Sequence, residues 1–135
     1  MVEIVGKYQH QRNENLEEYF KAIGVPYIPR KMMLSTSPSL DITVDETGEW
    51  CITTSTFLRT VVIKFQLGVE YEEHMPGGIT IKSTTTREGD TLKTVSVAPN
   101  GSKVFRTYVF SENECVLTLQ HNETGIEAKR YFKRL

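Results

Sequence analysis

Two periods of hydrophobic and polar residues divide the chain near residue 40. Before it, apolar residues recur at helical spacing; after it, they alternate in short runs separated by turns. Leu16, Phe20 and Ile23 lie three or four residues apart, on one helical face. Asn15, with Glu18 three residues on, has the form of a capping arrangement in which the Asn side chain accepts from an orphan amide. Gly24 stops this helix in the position glycine favours. A second helix over 27–34 should be short and easily frayed, with Ile28 and Met32 on one side. Its start is open. Pro26 suits the first position, but Pro29 would then remove the first intrahelical bond; otherwise the helix begins only near Pro29. Ahead of the helices, residues 5–12 read as a strand with mixed faces, and Pro38 ends the helical region.

From Leu40 onward the chain reads as β to its end. Turn chemistry stands at Asp45-Glu-Thr-Gly48, Leu67-Gly68, Pro76-Gly-Gly78, Glu88-Gly-Asp90, Asn100-Gly101, Ser111-Glu-Asn-Glu114 and Asn122-Glu-Thr-Gly125. Between the turns lie runs rich in Val, Ile, Thr, Tyr and Phe, among them 60–67, 79–86, 92–97, 104–110 and 116–120. Turns every ~8–12 residues indicate a sandwich or a barrel, and connections this short favour a meander. A meander of about ten strands can close on itself and leave no exposed edge, around a space wide enough for a small ligand. Thr53 and Ser55 share one strand face, Ile52 and Thr54 the other, and Thr84, Thr85 and Thr86 put hydroxyls on both faces. Hydroxyls so placed suit a wet interior, although threonine on an exposed strand explains any one of them.

The last strand, within 125–135, raises the main chemical question. Alternation puts Ile126, Ala128, Arg130 and Phe132 on one face and Glu127, Lys129, Tyr131 and Lys133 on the other. A guanidinium on an otherwise apolar face either reaches solvent at a strand end or awaits an anion in a cavity, since an unpaired buried ion loses several kcal/mol of hydration.

Composition narrows the field. The chain has 135 residues, enough for one domain with a real core; 24% are charged and the net charge is −1, which does not suggest nucleic acid as a partner. No basic segment followed by an apolar run opens the sequence, so no signal peptide is expected and the setting reads as cytoplasmic. Cys51 and Cys115 are too few for a disulfide framework, and His10, His74 and His121 form no local ligand motif, so neither metal nor cofactor is expected. No phosphate loop, Gly-x-Ser-x-Gly elbow or Cys-His pattern is present, and no nucleophile–base pair assembles, so an enzyme is not expected.

Across its whole length the chain resembles the intracellular fatty-acid-binding proteins, a family that includes retinoid and bile-acid carriers. The segments that carry the resemblance are Gly6-Lys-Tyr-Gln, Glu14-Asn-Leu-Glu-Glu-Tyr-Phe-Lys-Ala-Ile-Gly-Val25, Ser55-Thr-Phe57 and Ile63-Lys-Phe-Gln-Leu-Gly-Val-Glu-Tyr-Glu-Glu73, with a gapless C-terminal strand. The opening and the Arg130-x-x-Lys-Arg134 ending are similar to the liver-type and bile-acid-binding branch. The resemblance implies an all-β fold: a single domain over 1–135, a ten-stranded antiparallel up-and-down barrel with a helix-turn-helix lid at about 15–36. It implies a monomeric, non-covalent carrier of a long-chain fatty acid or related hydrophobic carboxylate, with retinoid or bile-acid carriage as the alternative.

Many family members end in an Arg-x-Tyr pair that grips a carboxylate. Arg130 matches the arginine, while Phe132 stands in the tyrosine's place. Tyr108 replaces a second inward cation in an ungapped match, and Arg106, two residues earlier on the same face, offers a shifted one. Tyr19, Leu40, Thr53 and Ser55 complete the expected ligand-contact set. Met32, Met33, Phe57, Met75 and Pro76 match the portal through which a ligand enters. Lys21, Arg30 and Lys31 match basic lid positions; transient contact with anionic membranes and nuclear import are the two roles such positions imply, against plain solvation.

Overall fold

The computed structural model describes residues 3–75 and 78–135, with Met75 described by its backbone alone. Ten strands and two helices follow one another as β1 (Gly6–Glu14), α1 (Leu16–Ala22), α2 (Tyr27–Leu34), β2 (Ser39–Val44), β3 (Trp50–Ser55), β4 (Thr60–Phe65), β5 (Tyr71–Met75), β6 (Ile79–Glu88), β7 (Thr91–Val97), β8 (Lys103–Phe110), β9 (Glu114–His121) and β10 (Glu127–Arg134). One antiparallel sheet contains all ten, in the order β4-β3-β2-β1-β10-β9-β8-β7-β6-β5. The first strand is thus zipped to the last, and the seam lies between β4 and β5. Aromatic rings span that seam: Phe65 of β4 stacks on Trp50 at 6.5 Å and on Tyr71 of β5 at 5.2 Å. Gly68, at φ +77°, also donates its amide to the Thr85 carbonyl across the seam, at 2.8 Å.

Short polar turns create the meander. In the β2–β3 turn, Asp45 Oδ1 accepts from the amides of Thr47 (2.9 Å) and Glu49 (3.0 Å), and Gly48 takes the left-handed φ of +85° that the turn needs. One end of the barrel is filled by apolar packing. Tyr8 and Phe110 rings lie 5.5 Å apart, Tyr108 stacks on Phe110 at 6.2 Å, and Ile4 and Cys115 are buried beside them. Arg134 closes this end, its guanidinium 4.8 Å over the Tyr8 ring and bonded to the Val5 and Ser111 carbonyls.

The helical pair forms the lid between β1 and β2, and α1 lies against β9 and β10 with Leu16, Tyr19 and Phe20 buried. Two local expectations change here. Asn15 makes no side-chain cap; it sits at φ +55° and its Nδ2 donates instead to the Glu127 carbonyl at 2.9 Å, tying the lid to β10. Asparagine tolerates that left-handed conformation, which turns the chain sharply out of β1. The start of α2 is settled by Pro26, the cap in extended conformation, whose carbonyl accepts from Arg30 at 2.9 Å. Because that is the first bond of the helix, Pro29 sits among amides that have no intrahelical partner and removes nothing.

β1 carries a bulge between His10 and Arg12. Tyr8 and His10 face inward opposite Arg134 and Phe132; after the bulge, Arg12 pairs outward with Tyr131 and Asn13 pairs with Arg130. One extra residue therefore switches which parity points into the barrel. Outside, Arg12 lies 3.7 Å above the Tyr131 ring, and the Tyr131 hydroxyl donates to Glu14 at 2.9 Å.

Candidate functional site

Above the apolar floor, the inner wall formed by β5–β8 is polar. Tyr71 and Glu73 come from β5, Ser83 and Thr85 from β6, Thr94 and Ser96 from β7, and Arg106 and Tyr108 from β8. Strand alternation aims them all at one interior, and the register brings Arg106 beside Thr94 and Thr85. Glu73 and Arg106 form a bidentate ion pair, with Arg106 Nη1 donating to Oε1 at 3.0 Å and Nη2 to Oε2. Ser83 donates to the same carboxylate and bonds Ser96 at 2.8 Å, and Arg106 Nη2 also reaches Ser96 at 3.0 Å. A second chain runs from the Tyr71 hydroxyl to Thr85 and from Thr85 to Thr94, each link 2.7 Å. Glu73 is 6% exposed, so its charge is tolerable only because Arg106 is paired to it. Burial lowers the Arg106 pKa, but the Glu73 carboxylate outweighs it and the group is held above its ordinary value.

Arg130 sits on the opposite wall with a poorer set of partners. Its Nε donates to Asn13 Oδ1 at 3.0 Å, and that oxygen is shared with His10 Nε2 at 2.7 Å. Its Nη2 is buried without a hydrogen-bond partner among the described residues. Burial pushes the guanidinium down to about 10, so it stays charged at neutral pH, in a site that disfavours the charge. Tyr108 lies two strands away in the same row, through Leu117, on the side of Arg130 opposite Asn13. Burial raises Tyr108 and Tyr19 to about 12, and raises Tyr71 as well, so these hydroxyls bring hydrogen bonds and no charge. His10 is held below its ordinary value, chiefly by burial.

Of the residues singled out from the sequence, Arg130, Phe132, Tyr108, Arg106, Tyr19 and Leu40 lie on the inner side of the barrel or the lid. Arg106 is placed inside but is committed to Glu73, so it is not the shifted free cation that the pattern suggested. Phe132 is fully apolar packing, its ring 5.6 Å from His10. Thr53 and Ser55 belong to the outer face: the core residues of β3 are Trp50 and Ile52, and alternation gives the inner position to Thr54. Thr53 pairs with Asp41 and contacts Cys51 Sγ, 3.7 Å away on that same outer side.

At the expected portal, Met33 packs against the core, whereas Met32 is exposed and Phe57 is 79% exposed at the tip of the β3–β4 turn. Pro76 and the Met75 side chain lie outside the described residues. Besides Tyr71, Ser83, Thr94 and Ser96 of the polar wall, Asn13 and Glu73 escaped the sequence reading. Asn13 did so because the β1 bulge reverses the alternation. Glu73 did so because a glutamate within Tyr71-Glu-Glu-His reads as solvated, although its spacing from Tyr71 carries the inward signal.

Comparison with known proteins agrees with this geometry. The model of the lipocalin / cytosolic fatty-acid binding protein family matches residues 5–127. A fatty acid-binding protein of Tyrophagus putrescentiae is 33% identical over 134 residues, 99% of each chain. The muscle fatty acid-binding protein of Schistocerca gregaria is 32% identical over 127 residues, 94% of this chain and 92% of the relative. Among solved structures, Echinococcus granulosus fatty-acid-binding protein 1 superposes with a TM-score of 0.91 at 20% identity, covering 98% of this chain and 97% of its own, a likeness of fold. With a family match over most of its length and full-length relatives that are binding proteins, the chain belongs to the lipocalin / cytosolic fatty-acid binding protein family.

Proposed function

We propose that the protein is a reversible, non-covalent carrier of a long-chain fatty acid, with the carboxylate at Arg130 and the alkyl chain along the apolar inner wall. The observation that carries this reading is the Arg130 guanidinium: inward, charged, and met by a neutral amide at Nε and by nothing at Nη2 among the described residues. A ligand carboxylate supplies the missing acceptor through a charge-assisted bond, direct or through one water. Tyr108 stands in the same row to donate a second bond, where Phe132 has no hydroxyl to give. The names of full-length relatives support the fatty-acid class.

The lid extends the proposal to delivery. Tyr27, Ile28 and Met32 are exposed on α2, and Arg30 and Lys31 flank the Tyr27 ring at 5.3 and 5.6 Å. An apolar face beside cations suits a brief contact with an anionic membrane.

Native mass spectrometry of protein purified from its source tests the ligand class directly; a bound long-chain fatty acid is expected. Delipidated protein should also melt higher with fatty acid, since ligand at a hundredfold excess over Kd adds about 2.7 kcal/mol. A melting temperature unmoved by fatty acids, retinoids and bile acids alike would overturn the carrier reading. A response to retinoids or bile acids alone would move it to the alternative.

A further inference from the structure

We propose that Glu73 sets the headgroup capacity of the barrel: by occupying Arg106 it leaves Arg130 as the single open cation, so the interior accepts one buried anionic group and rejects a second. This rests on the carboxylate-at-Arg130 reading above and deepens it to a selectivity for monoanionic ligands. Both terminal nitrogens of Arg106 are spent on the two Glu73 oxygens, with Ser83 and Ser96 bonded to the same pair; Arg106 Nε is buried without a partner among the described residues, but the charge of Arg106 is matched by Glu73. A ligand carboxylate arriving at Arg106 would have to displace Glu73, leaving a buried carboxylate beside two serines with its countercharge gone. Arg130 demands no such exchange, because among the described residues it is met by the neutral Asn13 amide and by no carboxylate, and its Nη2 is unpartnered.

Above the apolar floor, among the described residues, the inner-facing charges are Glu73, Arg106 and Arg130, a net of one positive charge; Arg134, on the same strand face, lies at the closed end against Tyr8 and backbone carbonyls, and the tyrosines stay neutral. A monoanion brings that sum to zero, whereas a second buried anionic group would remain unpaired in a low-dielectric interior. The two arginines are separate sites. Arg106 pairs with Leu119 and Leu119 with Ala128, one inward position before Arg130, which sets the two backbones ~12 Å apart at ordinary strand spacing and rise.

Titration calorimetry with hexadecanoate and its methyl ester tests this on three proteins: the parent, Glu73→Gln, and Glu73→Gln with Arg106→Gln. The parent should bind one acid per barrel and prefer acid to ester. Glu73→Gln keeps the shape and one acceptor but removes the charge and the second accepting oxygen, which frees Arg106, and should either take a second acid or raise the acid-to-ester preference by about tenfold, the scale of one charge-assisted bond. The double variant carries no pair and no excess charge beyond Arg130, and should return to the behaviour of the parent. Native stoichiometry and preference in a folded Glu73→Gln would overturn the proposal, as would loss of acid preference in the double variant. If Glu73→Gln alone does not fold, the double variant decides: retained acid preference supports the assignment and its loss overturns it. A parent protein indifferent between acid and ester would instead sink the Arg130 headgroup reading, a result distinct from either failure.

Discussion

The β5–β8 wall and the β10–β1 wall treat buried charge in opposite ways. On the first, Glu73, Ser83, Thr85, Thr94 and Ser96 bond to one another, to Tyr71 or to Arg106, and the two charges cancel within the wall, with only Arg106 Nε left unpartnered among these groups. On the second, Arg130 has the Asn13 oxygen, shared with His10, and an apolar surrounding of Leu117, Ala128 and Phe132. A self-satisfied network holds strands together and has little left to offer a ligand. An under-satisfied cation destabilises the empty protein and rewards whatever anion arrives. Position inside a barrel therefore does not identify a binding group; a buried charge with no countercharge does.

Breaking the closed wall should give the largest effect. Glu73→Ala strands the Arg106 charge and is expected to cost about 3–5 kcal/mol, the usual result of removing one partner of a buried pair. Replacing both partners, Glu73→Gln with Arg106→Gln, should recover most of that loss. Urea unfolding of the ligand-free proteins reads both; equal losses in single and double variants would mean that the pair is not a unit.

A smaller effect should come from His10 on the open wall. Its imidazole is held below the ordinary value of 6.5, chiefly by burial, with Arg130 adding to the depression. The fold therefore favours the neutral ring. The unfolded chain takes up the proton near pH 6.5, so the stabilisation is fully present above that pH and is lost as pH falls through the lowered folded value. Melting temperature should decline as pH falls below 6.5, before Glu14, Glu17 and Asp45, all shifted downward, begin to titrate. His10→Gln keeps a donor for Asn13 without a titrating group and should flatten the decline. An unchanged slope would remove His10 from the account.

How much of this contrast is legible without coordinates depends on alternation. The meander and the helical pair follow from turn spacing and hydrophobic period, whereas the lid and the inward aim of Arg106 and Tyr108 come with the family resemblance; the period of two that β8–β10 keep without interruption places Arg130 with them on the inner face. Alternation fails at β1, where the bulge after His10 turns Asn13 inward; at β3 it holds, but the inner face is that of Trp50 and Ile52, so the ligand contacts implied at Thr53 and Ser55 face out. The Glu73–Arg106 pair could not be read, because its partners are 33 residues apart and meet across the sheet through the packing of β5 against β6–β8. Asn15 shows the same limit on a small scale: its local capping signal yields to a bond with Glu127, 112 residues away.

The lid should give the smallest effect, because its charges are partly spent. Lys21 pairs with Glu18 at 3.3 Å, and Arg30 and Lys31 both reach Glu17, at 3.4 and 2.5 Å. Membrane attraction of ~1 kcal/mol per surface cation is thereby reduced. Reversing the charge of Lys21 and Lys31 should slow ligand transfer to anionic vesicles by roughly fivefold at low salt, with equilibrium affinity unchanged. Equal transfer rates for parent and variant would exclude a membrane role for these side chains.

The contrast between the walls is tested most directly by Arg130→Gln, measured twice on the same protein. Without ligand, the variant should be at least as stable as the parent in urea, since a poorly paired buried charge is gone. With ligand, its affinity for hexadecanoate should fall by about 1–3 kcal/mol, while the methyl ester binds as before. A ligand-free variant less stable than the parent, or an equal loss for acid and ester, would show that Arg130 is a structural group like Arg106 and that the headgroup is held elsewhere.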